Sequence, residues 1–140
     1  MRERIAALAA LLLSVVAGAT PLAAPPATMT PAELQRNLDG GTPLTLLDIR
    51  TEEEFSEGHV PGARNIPLDG LAPRMSELPA GIPVVVYCRS GRRTQTAIPQ
   101  LRQRGYEVIE LEGSMLGWTA AGLPAAKPQG TSPSGRTKVK

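Results

Sequence analysis

The sequence predicts an α/β domain built on a largely parallel sheet, and three observations carry that prediction. Two short apolar runs, LTLLDI from Leu44 to Ile49 and PVVVY from Pro83 to Tyr87, have the composition of strands covered on both faces. Other segments carry helix-start signatures followed by apolar residues spaced four apart. Strand and helix signals alternate along the chain, the order that crossover connections and a parallel sheet require.

The elements follow in turn. Thr30-Pro31-Ala32-Glu33 starts a helix, with Thr30 as cap, Pro31 at the first helical position and Glu33 closing a capping box; Leu34 and Leu38 then share one face. The strand from Leu44 to Ile49 comes next. Thr51 and Glu54 repeat the capping signature and predict a short helix containing Phe55, broken by Gly58, Pro61 and Gly62 before a brief strand over Ala63 to Ile66. A further short helix is predicted from Leu71 to Leu78, ended by Pro79 and Gly81. The β-branched run of Pro83 to Tyr87 is the strongest strand signal, and Cys88 terminates it. Arg89 to Arg93 turn the chain into a helix marked by Ala97 and Leu101 and ended by Gly105. Tyr106 to Leu111 is a strand, and Gly113 to Ala121 closes the domain as a helix around Trp118.

Length and composition bound this unit. With 140 residues, 41% hydrophobic and 20% charged, the chain holds one domain at most. Residues 1–19 have a short basic start, an apolar run from Ile5 to Ala17, and Ala17 and Ala19 in an A-x-A arrangement, the pattern of a cleaved signal peptide. That run of 13 residues is short for a membrane span, which takes about 20. The expected protein is therefore exported, to a bacterial periplasm or outside the cell, without stable membrane insertion after cleavage. Residues 20–27 read as a flexible Pro/Ala linker, 28–124 as the folded domain, and 125–140 as a disordered basic tail.

Charge and cysteine usage exclude several functions. Residues 20–126 hold nine Arg, no Lys and twelve acids, so the overall charge of +2 comes from the ends and not from a basic face for nucleic acid. A single Cys excludes internal disulfides and cysteine-rich metal sites, and a single His leaves little for a zinc centre. No cofactor and no metal is expected.

Cys88 is the candidate nucleophile. A lone Cys after an apolar strand is ordinarily a small buried hydrophobe, but CRSGRR places three Arg and one Gly within five positions of it. A loop whose backbone N–H groups turn inward at a helix start makes a nest for an anion, and the same field favours thiolate over thiol. No His-Asp partner in an evident triad arrangement supports acyl transfer. Attack on sulfane sulfur, phosphorus or arsenic remains.

Three ordered segments, LLDIRTEEEFSEGHVPGARNIPL from Leu46, VVVYCRSGRR from Val84 and LEGSMLGWTAAGLP from Leu111, resemble the rhodanese family of single-domain sulfurtransferases over roughly Met29 to Pro124. Cys-x-x-Gly-x-Arg alone is a weak motif. Together with Asp48-x-Arg50 and Gly58-His59-x-Pro61-Gly62-Ala63 in the same order it is specific. The resemblance implies a sheet of about five mainly parallel strands with helices on both faces, and a six-residue active loop of Cys88, Arg89, Ser90, Gly91, Arg92 and Arg93. It further implies a mechanism: Cys88 attacks the outer sulfur of a donor such as thiosulfate, becomes a persulfide, and yields the sulfur to a thiol or cyanide. Backbone N–H groups from Arg89 to Arg93 would stabilise the charged sulfur. Arg89, Arg92 or Arg93 would hold the donor's sulfonate, and Gly91 would allow the tight curvature.

Phosphatases of the dual-specificity cell-cycle type separate Cys and Arg by five residues, whereas Arg93 follows Cys88 after four, so sulfur transfer is preferred to phosphatase or arsenate reductase activity. A persulfide carrier or interaction module serving a dedicated partner is the main alternative. Asp48 and Arg50 read as a supporting ion pair that holds the loop, with Arg50 facing the pocket as the other arrangement. His59 reads as a turn residue bonded to neighbouring backbone rather than a general base, and Trp118 as core. Two departures from the family pattern stand out: Ser114, where a second Gly is common, and Pro99, expected to kink the following helix or delay its regular part. With no second Cys, a Cys88 persulfide needs an external acceptor, and an exported thiolate is open to oxidation, so a redox or sulfur-relay protein partner is expected as well.

Overall fold

The computed structural model describes residues 27–128. The expectations for the signal segment, for residues 20–26 and for residues 129–140 lie outside the described residues. Five strands, β1 (Ala27–Met29), β2 (Thr45–Asp48), β3 (Arg64–Asn65), β4 (Val84–Tyr87) and β5 (Val108–Leu111), form one sheet in the order β1-β5-β4-β2-β3. Every pairing is parallel. Five helices accompany them: α1 (Pro31–Asp39), α2 (Glu52–Glu57), α3 (Leu71–Arg74), α4 (Thr94–Gln103) and α5 (Ser114–Ala120).

The period of two along the strands sorts the core into two layers. Val84, Val86 and Cys88 face one side with Leu47 and Ile49, against Leu71 and Met75 of the α3 region and Ala97, Ile98 and Leu101 of α4. Val85, Tyr87 and Leu46 face the other, against Leu34 of α1 and Met115 and Trp118 of α5. Burial on both faces explains why β4 is apolar throughout, and each fully buried Val or Leu contributes about 1.5–3 kcal/mol of transfer free energy. The sheet therefore presents Cys88 from a rigid central strand.

Both capping boxes form: Thr30 with Glu33, and Thr51 with Glu54, each by reciprocal side-chain and backbone bonds. Trp118 is fully buried, and its Nε1–H donates to the Pro124 carbonyl at 2.9 Å.

Four local differences from the sequence reading have physical reasons. Ala27, the last residue of the expected linker, opens β1, whose three residues are ordered by pairing with Ile109, Glu110 and Leu111. The helix expected over Leu71 to Leu78 is instead one α-helical turn between 3-10 turns at Leu68–Gly70 and Met75–Glu77, because Pro79 holds Leu78 in extended backbone and the Leu78 N–H closes a 3-10 turn on the Met75 carbonyl at 3.0 Å. Tyr106 pins this segment, its hydroxyl lying 2.8 Å from the Met75 carbonyl and 3.2 Å from that of Leu78. Pro99 neither breaks nor delays α4, which runs on from Thr94; Pro99 and Gln95, whose carbonyl loses its helical partner, both lie on the exposed face, where an unpaired carbonyl is open to solvent. Past Pro124, Ala126 pairs with His59 through two backbone bonds of 2.9 and 2.8 Å. Among the described residues, no helix is long and apolar enough to cross a membrane.

Candidate functional site

Cys88 leaves the carboxyl end of β4, where ligands gather in open parallel sheets. The chain then wraps back over its sulfur. The Gly91 N–H donates to Cys88 Sγ at 3.0 Å, and Gly91 achieves this with φ of +98°, a region where a β-carbon is strained. The Thr94 hydroxyl lies 2.7 Å from the Gly91 carbonyl and 2.5 Å from Oε1 of Glu110 on β5, fixing the loop where it enters α4. From the other side, the first turn of α5 donates Met115 N–H to the Cys88 carbonyl at 2.9 Å and Leu116 N–H to that of Arg89 at 3.0 Å. The loop is thus held by β5, α4 and α5.

Electrostatics follow from this geometry. Cys88 is only 1% exposed, and burial by itself raises a thiol's pKa. Backbone N–H groups of Thr94, Gly91 and Arg93, with the Ser114 hydroxyl, outweigh burial and hold the Cys88 thiol below its ordinary value. The arrangement stabilises an anionic sulfur by backbone dipoles.

The three loop arginines divide. Arg93 donates from both terminal nitrogens to Glu54 at 2.7 Å, so its guanidinium braces the loop against α2 and is not a free sulfonate holder. Glu54 is available because the capping box fixes it at the start of α2. Arg89 and Arg92 are exposed at the mouth and make no ion pair among the described residues. Ser90 is likewise exposed. Beside Arg93 lies a cleft of about 340 Å³ lined by Ile49, Thr51, Pro67, Leu68 and Asp69.

The Arg93–Glu54 pair has a testable acid signature. Its hydrogen bonds lower the Glu54 pKa to about 2. A depressed carboxylate contributes stability that is full above its unfolded value and is lost as pH falls through the folded one. Both side chains are partly exposed, so solvent screening limits the contribution to about 1–2 kcal/mol. Glu54→Gln is expected to lose that amount near neutrality and to show a shallower fall in melting temperature as pH drops from about 5 towards 2. Equal acid slopes for both proteins would count against the brace.

Asp48 and Arg50 form the expected ion pair, but its place differs. Arg50 donates to Asp48 from Nε at 3.1 Å and from a terminal nitrogen at 2.7 Å, and reaches the Gly58 carbonyl at 2.8 Å. Burial works against the guanidinium charge, and the Asp48 carboxylate more than restores it. Arg50 also lies 5.7 Å from the Tyr87 ring centroid, and Tyr87 accepts the Val60 N–H. The pair therefore ties the turn after α2 to β4, and Arg50 does not face the cleft; it makes no hydrogen bond to the Cys88 loop. Burial, reinforced by Asp48, raises the Tyr87 pKa. His59 stacks on Phe55 at 3.6 Å between ring centroids and places Nδ1 3.0 Å from the Phe55 carbonyl, in keeping with a turn residue.

Residues 30–121 match the family profile described as "Rhodanese-like domain". A sulfurtransferase of Allochromatium vinosum is 40% identical over 98 residues, covering 69% of this chain and 92% of that protein. An HTH-type transcriptional regulator of Mycobacterium tuberculosis is 42% identical over 111 residues, 78% of this chain, which spans only 49% of that relative. Among solved structures, the Alr3790 protein of Anabaena has a TM-score of 0.66 at 31% identity, covering 71% of this chain and 82% of that one. A rhodanese-related protein of Thermoplasma volcanium has the same TM-score at 27% identity, covering 71% and 97%. The fold and the family match thus define a rhodanese-like, sulfur-relay class of α/β domain. The chain belongs to the rhodanese-like domain family.

Proposed function

We propose that this protein is a sulfurtransferase that carries sulfane sulfur as a Cys88 persulfide. The observation that carries the reading is the Gly91 N–H at 3.0 Å from a buried Cys88 Sγ at the end of the central strand. The Cys88 thiolate attacks the outer sulfur of thiosulfate; a new S–S bond forms, the donor's S–S bond breaks, and sulfite leaves with the electron pair. An external thiolate or cyanide then takes the outer sulfur and returns Cys88 as thiolate. No general base is needed once the thiol is ionised, which leaves His59 to its turn.

At 1% exposure, Cys88 favours a slender donor over a tetrahedral centre that must sit fully inside the loop. Arg89 and Arg92 at the mouth supply charge for the sulfonate end. The cleft beside Arg93 offers room for the body of a small acceptor. The signal-like residues 1–19 support action outside the cytoplasm.

Turnover tests the proposal. With thiosulfate and cyanide, purified protein is expected to release thiocyanate at a rate that rises with pH as Cys88 ionises. Adduct formation with slow thiocyanate release would favour a carrier serving a dedicated protein partner. No release and no adduct with any sulfane donor would overturn the reading.

A further inference from the structure

Two independent observations meet at Ser114. Its backbone has φ of +52°, making it the one non-glycine residue with positive φ among the described residues, directly after Gly113 at +71°. A residue with a β-carbon is strained there and a glycine is not, and such strain persists where the surroundings hold it for a purpose. The side chain is also wholly buried, so its hydroxyl must find partners inside the protein.

Those partners belong to Cys88. Ser114 Oγ accepts the Cys88 N–H at 3.2 Å and lies 3.9 Å from Cys88 Sγ. The next residue, Met115, donates to the Cys88 carbonyl. The start of α5 thus holds both backbone groups of the nucleophile. With an Oγ lone pair given to the Cys88 N–H, the hydroxyl hydrogen is free to point at the sulfur.

We propose that Ser114 is a positioning residue for sulfur transfer: its hydroxyl takes the Cys88 N–H and turns its own hydrogen toward the anionic sulfur. The inference rests on Cys88 being the sulfur nucleophile. The contact opposes the effect of burial on the thiol, beside the backbone N–H groups of the loop. The backbone strain is explained by function, since glycine would fit the turn better but leaves the Cys88 N–H without an acceptor and the sulfur without this donor.

The test compares Ser114→Gly with Ser114→Ala. Both remove the hydroxyl, but only glycine relieves the left-handed backbone. The readouts are the pH midpoint of Cys88 thiolate absorbance, the rate of iodoacetamide alkylation and the melting temperature. Charged groups about the loop are Arg89, Arg92 and Arg93 within it, Glu54 behind Arg93, and Glu110 beside Gly91; both variants keep all five. The thiolate midpoint is expected to rise by about half to one pH unit in both variants. Alkylation below the midpoint should slow about 3- to 10-fold. Ser114→Gly should melt several degrees above Ser114→Ala. An unchanged midpoint in both, or a midpoint that moves only in the less stable alanine protein, would overturn the role. These measurements need no sulfur donor, so failure here is distinguishable from failure of sulfur transfer, which shows as the absence of an adduct in the unsubstituted protein.

Discussion

Cys88→Ser is expected to abolish thiocyanate formation, lowering turnover with thiosulfate by on the order of 10³-fold or more, while the protein melts close to the parent temperature. The reason is chemical. A serine hydroxyl is a poor nucleophile at neutral pH, and no backbone nest or helix start brings it near ionisation. The Gly91 N–H that now meets Sγ at 3.0 Å can still bond the hydroxyl oxygen, so the loop keeps its anchor and the loss is confined to reactivity. Parallel thiocyanate and melting measurements check both halves. Substantial turnover in the serine protein would place the chemistry elsewhere.

The second large effect concerns stability. Asp48→Ala is expected to cost about 3–5 kcal/mol, because it strands a guanidinium that is buried against Tyr87 and Gly58 without its carboxylate. For a domain of this size that corresponds to a fall in melting temperature on the order of 15 °C or more. Replacing both residues by Leu should recover much of the loss, since it removes the buried charges together. Thermal denaturation of the two variants checks this. Because Asp48 and Arg50 lie with Tyr87 on the α1 and α5 side of the sheet and Cys88 lies on the other, well-folded Asp48→Ala protein should retain turnover within a few-fold. Loss of turnover without loss of stability would instead put Arg50 in the substrate site.

What the sequence made legible depends on how local each feature is. β2 and β4 were readable because burial on both faces demands a continuous apolar run, and the two capping boxes because they are closed within four residues. Cys88 stood out for the same reason: its loop is contiguous, and three arginines after a strand are visible without a fold. β1 was not readable, since Ala27–Met29 has little strand character of its own and is ordered by β5 across the sheet. The partner of Arg93 was hidden because Glu54 lies 39 residues away in sequence; its capping signature located it on a helix start but gave no hint of a second bond. Ser114 showed only as a departure from a common glycine. Its meaning needed the left-handed backbone and the contact with Cys88 across 26 residues. Glu110 left one signal, a charged side chain inside the apolar strand VIEL, which the fold places against the Cys88 loop.

Sulfur transfer through Cys88 requires that its nested thiolate accept and hold one sulfur atom. Intact-protein and peptide mass spectrometry after incubation with thiosulfate, without acceptor, reads that step. The expected result is a gain of one sulfur atom confined to the peptide containing Cys88, removed by cyanide and absent in Cys88→Ser. An adduct that persists in Cys88→Ser, or unmodified protein with every sulfane donor tried, would rule out a Cys88 persulfide.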